Sequence, residues 1–301
     1  MKGDWIGMTE FRDTENTDMH HRARTLIEAL PYIQRFHGKI MVIKYGGSAM
    51  VDECLRTKIM QDIALLKYVG ILPVIVHGGG PAINTMLKRL GVQSTFHQGL
   101  RITDETSMEI TEMILAGKVN KELVRLLSLQ GVRAVGITGM DGRLFTARKQ
   151  EVEGVDLGLV GDIVDVDTDI VESLFENGFI PVIAPVSTDL EGTTYNINAD
   201  DAAVAVASAL GAEKLIYLTD VPGVMRSLMD PDSLISRLHT DEAERLMEEG
   251  IISSGMVPKI RCAVSAVKHN TASAHIINGT LNHSLLLEIF TADGVGTLIS
   301  K

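Results

Sequence analysis

Apolar, β-branched runs alternate along this chain with stripes of apolar residues at helical spacing, and glycine-rich turns mark the joints. Ile40-Met41-Val42-Ile43 and Leu72-Pro73-Val74-Ile75-Val76 read as buried strands, and between them Leu55, Ile59, Ile63 and Leu66 recur at helical intervals. That is a βαβ unit, whose right-handed crossover leaves ligand sites at strand carboxyl ends. A glycine turn follows each strand: Lys44-Tyr45-Gly46-Gly47-Ser48, then His77-Gly78-Gly79-Gly80, with Pro81 near the first position of the next helix.

The rhythm persists downstream. Residues 106–130 read as helix and Val132 to Ile137 as strand, while Leu144 to Arg148 with Gly161 to Val166 read as a pair of exposed strands forming a hairpin lid. A helix near Thr168 to Asn177, the buried strand Phe179 to Ala184, a small-residue helix Ala202 to Leu210 and the strand Lys214 to Leu218 follow. A helix opening around Pro258 and the tail from Ala274 to Ile299 close the sheet. Before all this, Leu26, Ile27, Leu30, Ile33 and His37 form a helical stripe that Pro31 should kink. Such a stripe either packs on its own domain or is offered to a neighbour.

Composition narrows the setting. The 301 residues are 45% hydrophobic and 22% charged, material for one large or two modest lobes. A formal net charge of −11 opposes nonspecific nucleic-acid binding, so an anionic substrate must be held by local cations. Only Cys54 and Cys262 are present, without zinc spacing, which points to a reducing, cytoplasmic setting. The start carries Asp4, Glu10, Asp13 and Glu15 and does not read as a signal peptide, and no apolar run reaches membrane-spanning length.

Chemistry gathers at the turns. Glycine amides beside a helix N-terminus favour an anion, although a lone glycine cluster is more simply a tight turn; here the pattern occurs twice, once with Lys44. Arg101, in Gly99-Leu100-Arg101-Ile102-Thr103-Asp104, offers a fork suited to a carboxylate, or is a solvated charge. Asn196, Asn198 and Asp200 alternate toward one side of an extended segment; N-capping by Asp200 or Asp201 is the simpler account, but one cap does not need three polar residues. Lys259 stands against the dipole of its helix, which suggests an anion nearby. The P-loop and dinucleotide glycine patterns are absent.

Taken together, the two glycine turns, Gly99 to Asp104, Asn196-Ile197-Asn198-Ala199-Asp200, Thr219-Asp220-Val221-Pro222-Gly223 and Gly255-Met256-Val257-Pro258-Lys259 resemble the amino acid kinase family, and within it the members that phosphorylate N-acetyl-L-glutamate. Order and spacing agree from about Lys39 onward; Asp201 and Thr280 depart from common family residues. The resemblance implies a three-layer αβα sandwich with an open, mostly parallel sheet. It divides the chain into a helical extension (1–37), a lobe for the acyl amino acid (38–211) and a lobe for ATP (212–301). It implies phosphorylation of the substrate's side-chain carboxylate by ATP with Mg2+, in arginine biosynthesis. By carry-over, Lys44, Lys259 and Asp200 are catalytic. Gly46, Gly47 and Gly78 bind phosphate, and Gly79, Gly80, Arg101, Asn196 and Asn198 bind substrate. Thr219, Asp220, Val221, Gly223 and Met256 bind nucleotide, and no residue is a metal ligand. The kinked helix resembles the extension by which arginine-inhibited members form hexamers, trimers of dimers, with Tyr32, Lys214, His275 and Glu288 matching the effector pocket. A core histidine and a solvated carboxylate are the plainer readings of the last two. Two rivals stay open: a kinase for N-acetyl-aminoadipate, since one methylene is worth only about 1–3 kcal/mol, and a non-catalytic arginine-sensing module.

Overall fold

A computed structural model describes residues 23–50, 52–227, 230–252 and 255–301. Residues 1–22, with most of the expected extension and the acidic start, lie outside the described residues. An eight-stranded sheet runs in the order Arg237–His239, Thr297–Ser300, Ala274–Asn278, Lys214–Thr219, Ile40–Tyr45, Leu72–His77, Ile180–Ala184, Ala134–Thr138. The last six are mutually parallel; Thr297–Ser300 turns back antiparallel against Ala274–Asn278 and carries Arg237–His239 alongside.

Alternation along the strands sorts side chains into two cores. Val42 joins Val74, Val76 and Tyr217 on one face, beneath helices Ala199–Ala209 and Val257–Lys268, which contribute Ala203, Val206, Ile260 and Val264. Met41 and Ile43 join Ile75 and Ile216 on the other, beneath Glu53–Tyr68 and Asn120–Leu129, which contribute Ile59, Ile63 and Leu123. The expected three-layer sandwich with its open, mostly parallel sheet is therefore what forms. Lys44, two residues beyond Val42, emerges on the face that Ala199–Ala209 covers.

The hairpin lid is a correction. Phe145–Lys149 and Val160–Val166 do pair antiparallel, but they close with Val186–Thr188 and Thr194–Ile197 into a four-stranded barrel. Phe145, Ala147, Val160 and Gly161 are buried, so the strands are only partly exposed, at Arg148, Lys149, Val164 and Asp165. The charged Arg148, Asp162 and Asp165 disguise this, because they break the apolar pattern without reversing which residues face inward.

The expected 106–130 helix is interrupted by a π-helical stretch, Met113–Val119, between Glu105–Glu112 and Asn120–Leu129. Residues 23–36 are helical without a break at Pro31; Phe36 is buried, whereas Leu26, Ile27 and Leu30 are exposed and join no core among the described residues. No described helix is long and apolar enough to cross a membrane.

Candidate active site

Strands Ile40–Tyr45 and Leu72–His77 run side by side, Lys44 in register with Val76 and Tyr45 with His77, so both glycine turns leave the sheet at one edge. The Gly78 amide donates to Tyr45 O at 2.9 Å and ties the turns together. That commitment corrects the reading of Gly78 as a phosphate donor: its N–H is spent within the protein. The amides of Gly79 and Gly80, at the N-terminus of helix Gly80–Arg89, have no protein acceptor among the described residues. A Cβ on Gly46 would stand 2.8 Å from Lys44 Nζ, so a side chain there would displace the ammonium from its present position.

The helix Ala199–Ala209 is capped by Asn198, whose side chain accepts from Asp200 N at 2.8 Å. The cap is thus neither Asp200 nor Asp201, and the alternating polar row ends at Asn198, because Asp200 already lies in the helix. Its carboxylate faces two cations: Oδ1 is 2.9 Å from Lys44 Nζ and Oδ2 is 3.6 Å from Lys259 Nζ. Burial pushes the Asp200 carboxyl up, but the two ammonium groups outweigh it and hold the pKa below the usual carboxylate range. Part of the anion that Lys259 suggested is therefore Asp200 itself.

A cleft of about 330 Å³ opens above the turns. Lys44, Gly46, Gly47, Gly78, Gly79, Gly80, Arg101, Asn196 and Asn198 all line it. Arg101 is supplied by a two-residue hairpin, Phe96–His97 to Leu100–Arg101, in which Gln98 and Gly99 take φ of 48° and 86°, a turn favouring glycine. Pairing places Phe96 opposite Arg101, with the guanidinium 4.7 Å from the ring centroid. Asn84 Oδ1, at 2.5 Å, and Ser94 Oγ accept from its two terminal nitrogens. Arg101 is a buried, fixed cation rather than a solvated one. Asn196 donates to Thr103 Oγ1 at 3.3 Å.

A second pocket, of about 270 Å³, is lined by Thr219, Asp220, Val221, Gly223 and Met256, and Lys259 belongs to it. The Thr219 hydroxyl is occupied in its own turn, near Val221 O and Ile277 O, so it shapes the loop. Asp200 consequently touches one lysine from each cavity. A third cavity, of about 370 Å³, brings together Tyr32, Lys214, His275 and Glu288. Lys214 Nζ donates to His275 Nε2 at 2.8 Å, and His275 Nδ1 to Glu288 Oε1 at 2.6 Å; Val295 N and Gly296 N donate to Oε2. Glu288 is buried, not solvated. Burial brings Lys214 down to about 8, against the opposing pull of Glu288.

Asn84, Ser94, Phe96 and Asn120 were not singled out in the sequence. Only Phe96 carried a local signal, as an aromatic directly across a glycine hairpin; the others act through tertiary contacts.

Comparison with known proteins identifies the family. A model of the amino acid kinase family matches residues 39–278. Acetylglutamate kinases from Thermoanaerobacter pseudethanolicus and Heliobacterium modesticaldum are 55% and 52% identical over 280 and 289 residues, covering 93% of this chain and 93% and 98% of their own lengths. N-acetylglutamate synthase from Neisseria gonorrhoeae, complexed with coenzyme A and N-acetyl-glutamate, is similar with a TM-score of 0.82 at 32% identity over 93% of this chain. The same synthase complexed with coenzyme A and L-arginine gives 0.78 at 29% identity over 93% of this chain. This chain spans 63% and 65% of those synthase chains. The sheet, the paired glycine turns and the family match over most of the length place this chain in the amino acid kinase family.

Proposed function

We propose that this chain transfers the γ-phosphoryl group of ATP to the side-chain carboxylate of N-acetyl-L-glutamate, giving an acyl phosphate in arginine biosynthesis. The observation that carries this is the position of Asp200, between Lys44 of one cavity and Lys259 of the other. A phosphoryl donor and its acceptor must meet end to end, and the lysine pair marks the meeting point.

The acceptor carboxylate is ionised at neutral pH, so the reaction needs no general base; the barrier lies in bringing two anions together. Lys44 and Lys259 offset that charge, and the Gly46, Gly47, Gly79 and Gly80 amides donate to phosphoryl oxygens and substrate. Asp200 organises the lysines instead of approaching the phosphoryl group. Arg101 pairs with a substrate carboxylate, Asn196 bonds near the amino acid end, and Thr219 to Gly223 with Met256 cradle the nucleotide. Mg2+ enters as MgATP, a substrate, bound through the nucleotide's phosphates. In this reading residues 38–211 form the acyl amino acid lobe and 212–301 the ATP lobe, meeting where Ile40–Tyr45 pairs with Lys214–Thr219.

The finer reading is an arginine-inhibited, cytoplasmic hexamer. It is supported by the cavity at Tyr32, Lys214, His275 and Glu288 and by the exposed Leu26, Ile27 and Leu30, an apolar helix face suited to a second copy. ATP turnover measured in parallel with acetylglutamate, acetylaminoadipate, glutamate and aspartate tests the substrate assignment. Turnover confined to acetylglutamate supports it; preference for acetylaminoadipate, or no turnover, replaces it with one of the two rivals.

A further inference from the structure

His77 closes the strand Leu72–His77 and is fully buried, yet phosphoryl transfer uses neither of its ring nitrogens. Nδ1 lies 2.9 Å from Gly78 O, and Nε2 lies 3.1 Å from Asn120 Nδ2. The neighbours decide where the proton sits. Val182 O, 2.9 Å from Asn120 Nδ2, can only accept; the Lys121 ammonium, 3.2 Å from Asn120 Oδ1, can only donate. The Asn120 amide is thereby oriented with its NH2 toward His77, Nε2 must accept, and the ring proton is left on Nδ1, donating to Gly78 O. Burial pushes the imidazole pKa down to about 4, so the ring is neutral at ordinary pH.

We infer that His77, held by Asn120 in the Nδ1–H tautomer, is a positioning residue that orients the Gly78–Gly79 peptide so that the Gly79 N–H faces the phosphoryl-transfer cleft. In a planar trans peptide the carbonyl and the following N–H point in opposite directions. Anchoring Gly78 O on the buried imidazole therefore turns the Gly79 amide away from the interior, toward the cleft that Gly78, Gly79 and Gly80 line. A peptide between two glycines has little steric resistance to flipping, so an external anchor is what fixes its sense. The inference rests on reading that cleft as the transfer site.

Two measurements on the full chain test it. Nitrogen-15 NMR of His77 near neutral pH should find Nδ1 protonated and Nε2 bare; a proton on Nε2 overturns the inference. In steady-state kinetics, His77→Asn keeps a donor near the Nδ1 position, whereas His77→Gln places one near Nε2, and Asn120→Asp offers Nε2 only acceptors. His77→Asn should stay within several-fold of wild-type kcat, while His77→Gln and Asn120→Asp fall on the order of 100-fold with the KM for ATP nearly unchanged. Equal losses in His77→Asn and His77→Gln would reduce His77 to packing and overturn the inference. If the wild-type chain fails to phosphorylate acetylglutamate, the functional reading falls, and the tautomer still decides the inference.

Discussion

Asp200 Oδ1 lies 2.9 Å from Lys44 Nζ, which joins the first turn of one helix to the carboxyl end of the first strand. Lys259 reaches the other oxygen of the same carboxylate at 3.6 Å. Two ammonium groups that repel each other are thus held at one point by a single anion, and in the proposed reaction they would meet the charge that develops on the phosphoryl group. Lys44→Ala and Lys259→Ala should each lower kcat on the order of 100- to 1,000-fold while changing the KM for acetylglutamate far less. Steady-state kinetics of the two variants checks this, and near-wild-type kcat in either removes that lysine from the transfer site.

Arg101 is fixed by Asn84, Ser94 and Phe96 before any ligand arrives. In the proposed role of a carboxylate clamp, its loss acts on substrate binding. Arg101→Ala should raise the KM for acetylglutamate roughly 10- to 100-fold, as a charged hydrogen bond of about 1.5–3 kcal/mol predicts, and leave the KM for ATP nearly unchanged. Asn84→Ala should move KM in the same direction by less. A change confined to the KM for ATP would transfer Arg101 to the nucleotide side.

His77 also leaves a mark on stability. Its ordinary pKa of 6.5 falls to about 4 in the folded chain through burial. Between these values the unfolded chain binds a proton that the native chain does not, so stability rises with pH across this window and levels off above about 6.5. The contribution is on the order of 3 kcal/mol, lost as pH falls from about 6.5 to about 4. Denaturant unfolding against pH should show this slope in the wild type and a flatter one in His77→Asn; equal slopes contradict it.

Much of this was legible because strand-to-glycine-to-helix chemistry is local. The turns at Lys44 to Ser48 and His77 to Pro81 announce themselves through β-branched runs ending in glycine, and both sit where the sequence put them. That residues 44, 200 and 259 meet was not readable from periodicity; it came from resemblance. What stayed hidden depends on partners distant in sequence. The Gly78 amide is taken by Tyr45 O, and Arg101 is clamped by Asn84 and Ser94. Asn198 was missed as the cap for a different reason: Asn198, Asp200 and Asp201 all had the chemistry to cap, and only backbone geometry chooses among them. The barrel was missed because its strands carry charge on their outer positions and apolar residues at short, interrupted intervals.

The regulatory reading makes its own demand. Removing residues 1–37 deletes Tyr32 and Phe36 from the cavity at Lys214, His275 and Glu288, and the exposed Leu26, Ile27 and Leu30 from the neighbouring helix face. The truncated chain should sediment as a dimer, keep its turnover and need far more arginine for inhibition. A full-length chain that sediments as a dimer and ignores arginine would remove this reading while leaving the kinase assignment intact.

The most direct test of the central claim is product trapping. With MgATP, acetylglutamate and hydroxylamine, the wild-type chain should yield acetylglutamyl hydroxamate in step with ADP, because only an activated acyl phosphate reacts in this way, and Lys44→Ala should yield almost none. ADP without hydroxamate, or undiminished hydroxamate from Lys44→Ala, would contradict phosphoryl transfer to the carboxylate at the Lys44, Asp200 and Lys259 centre.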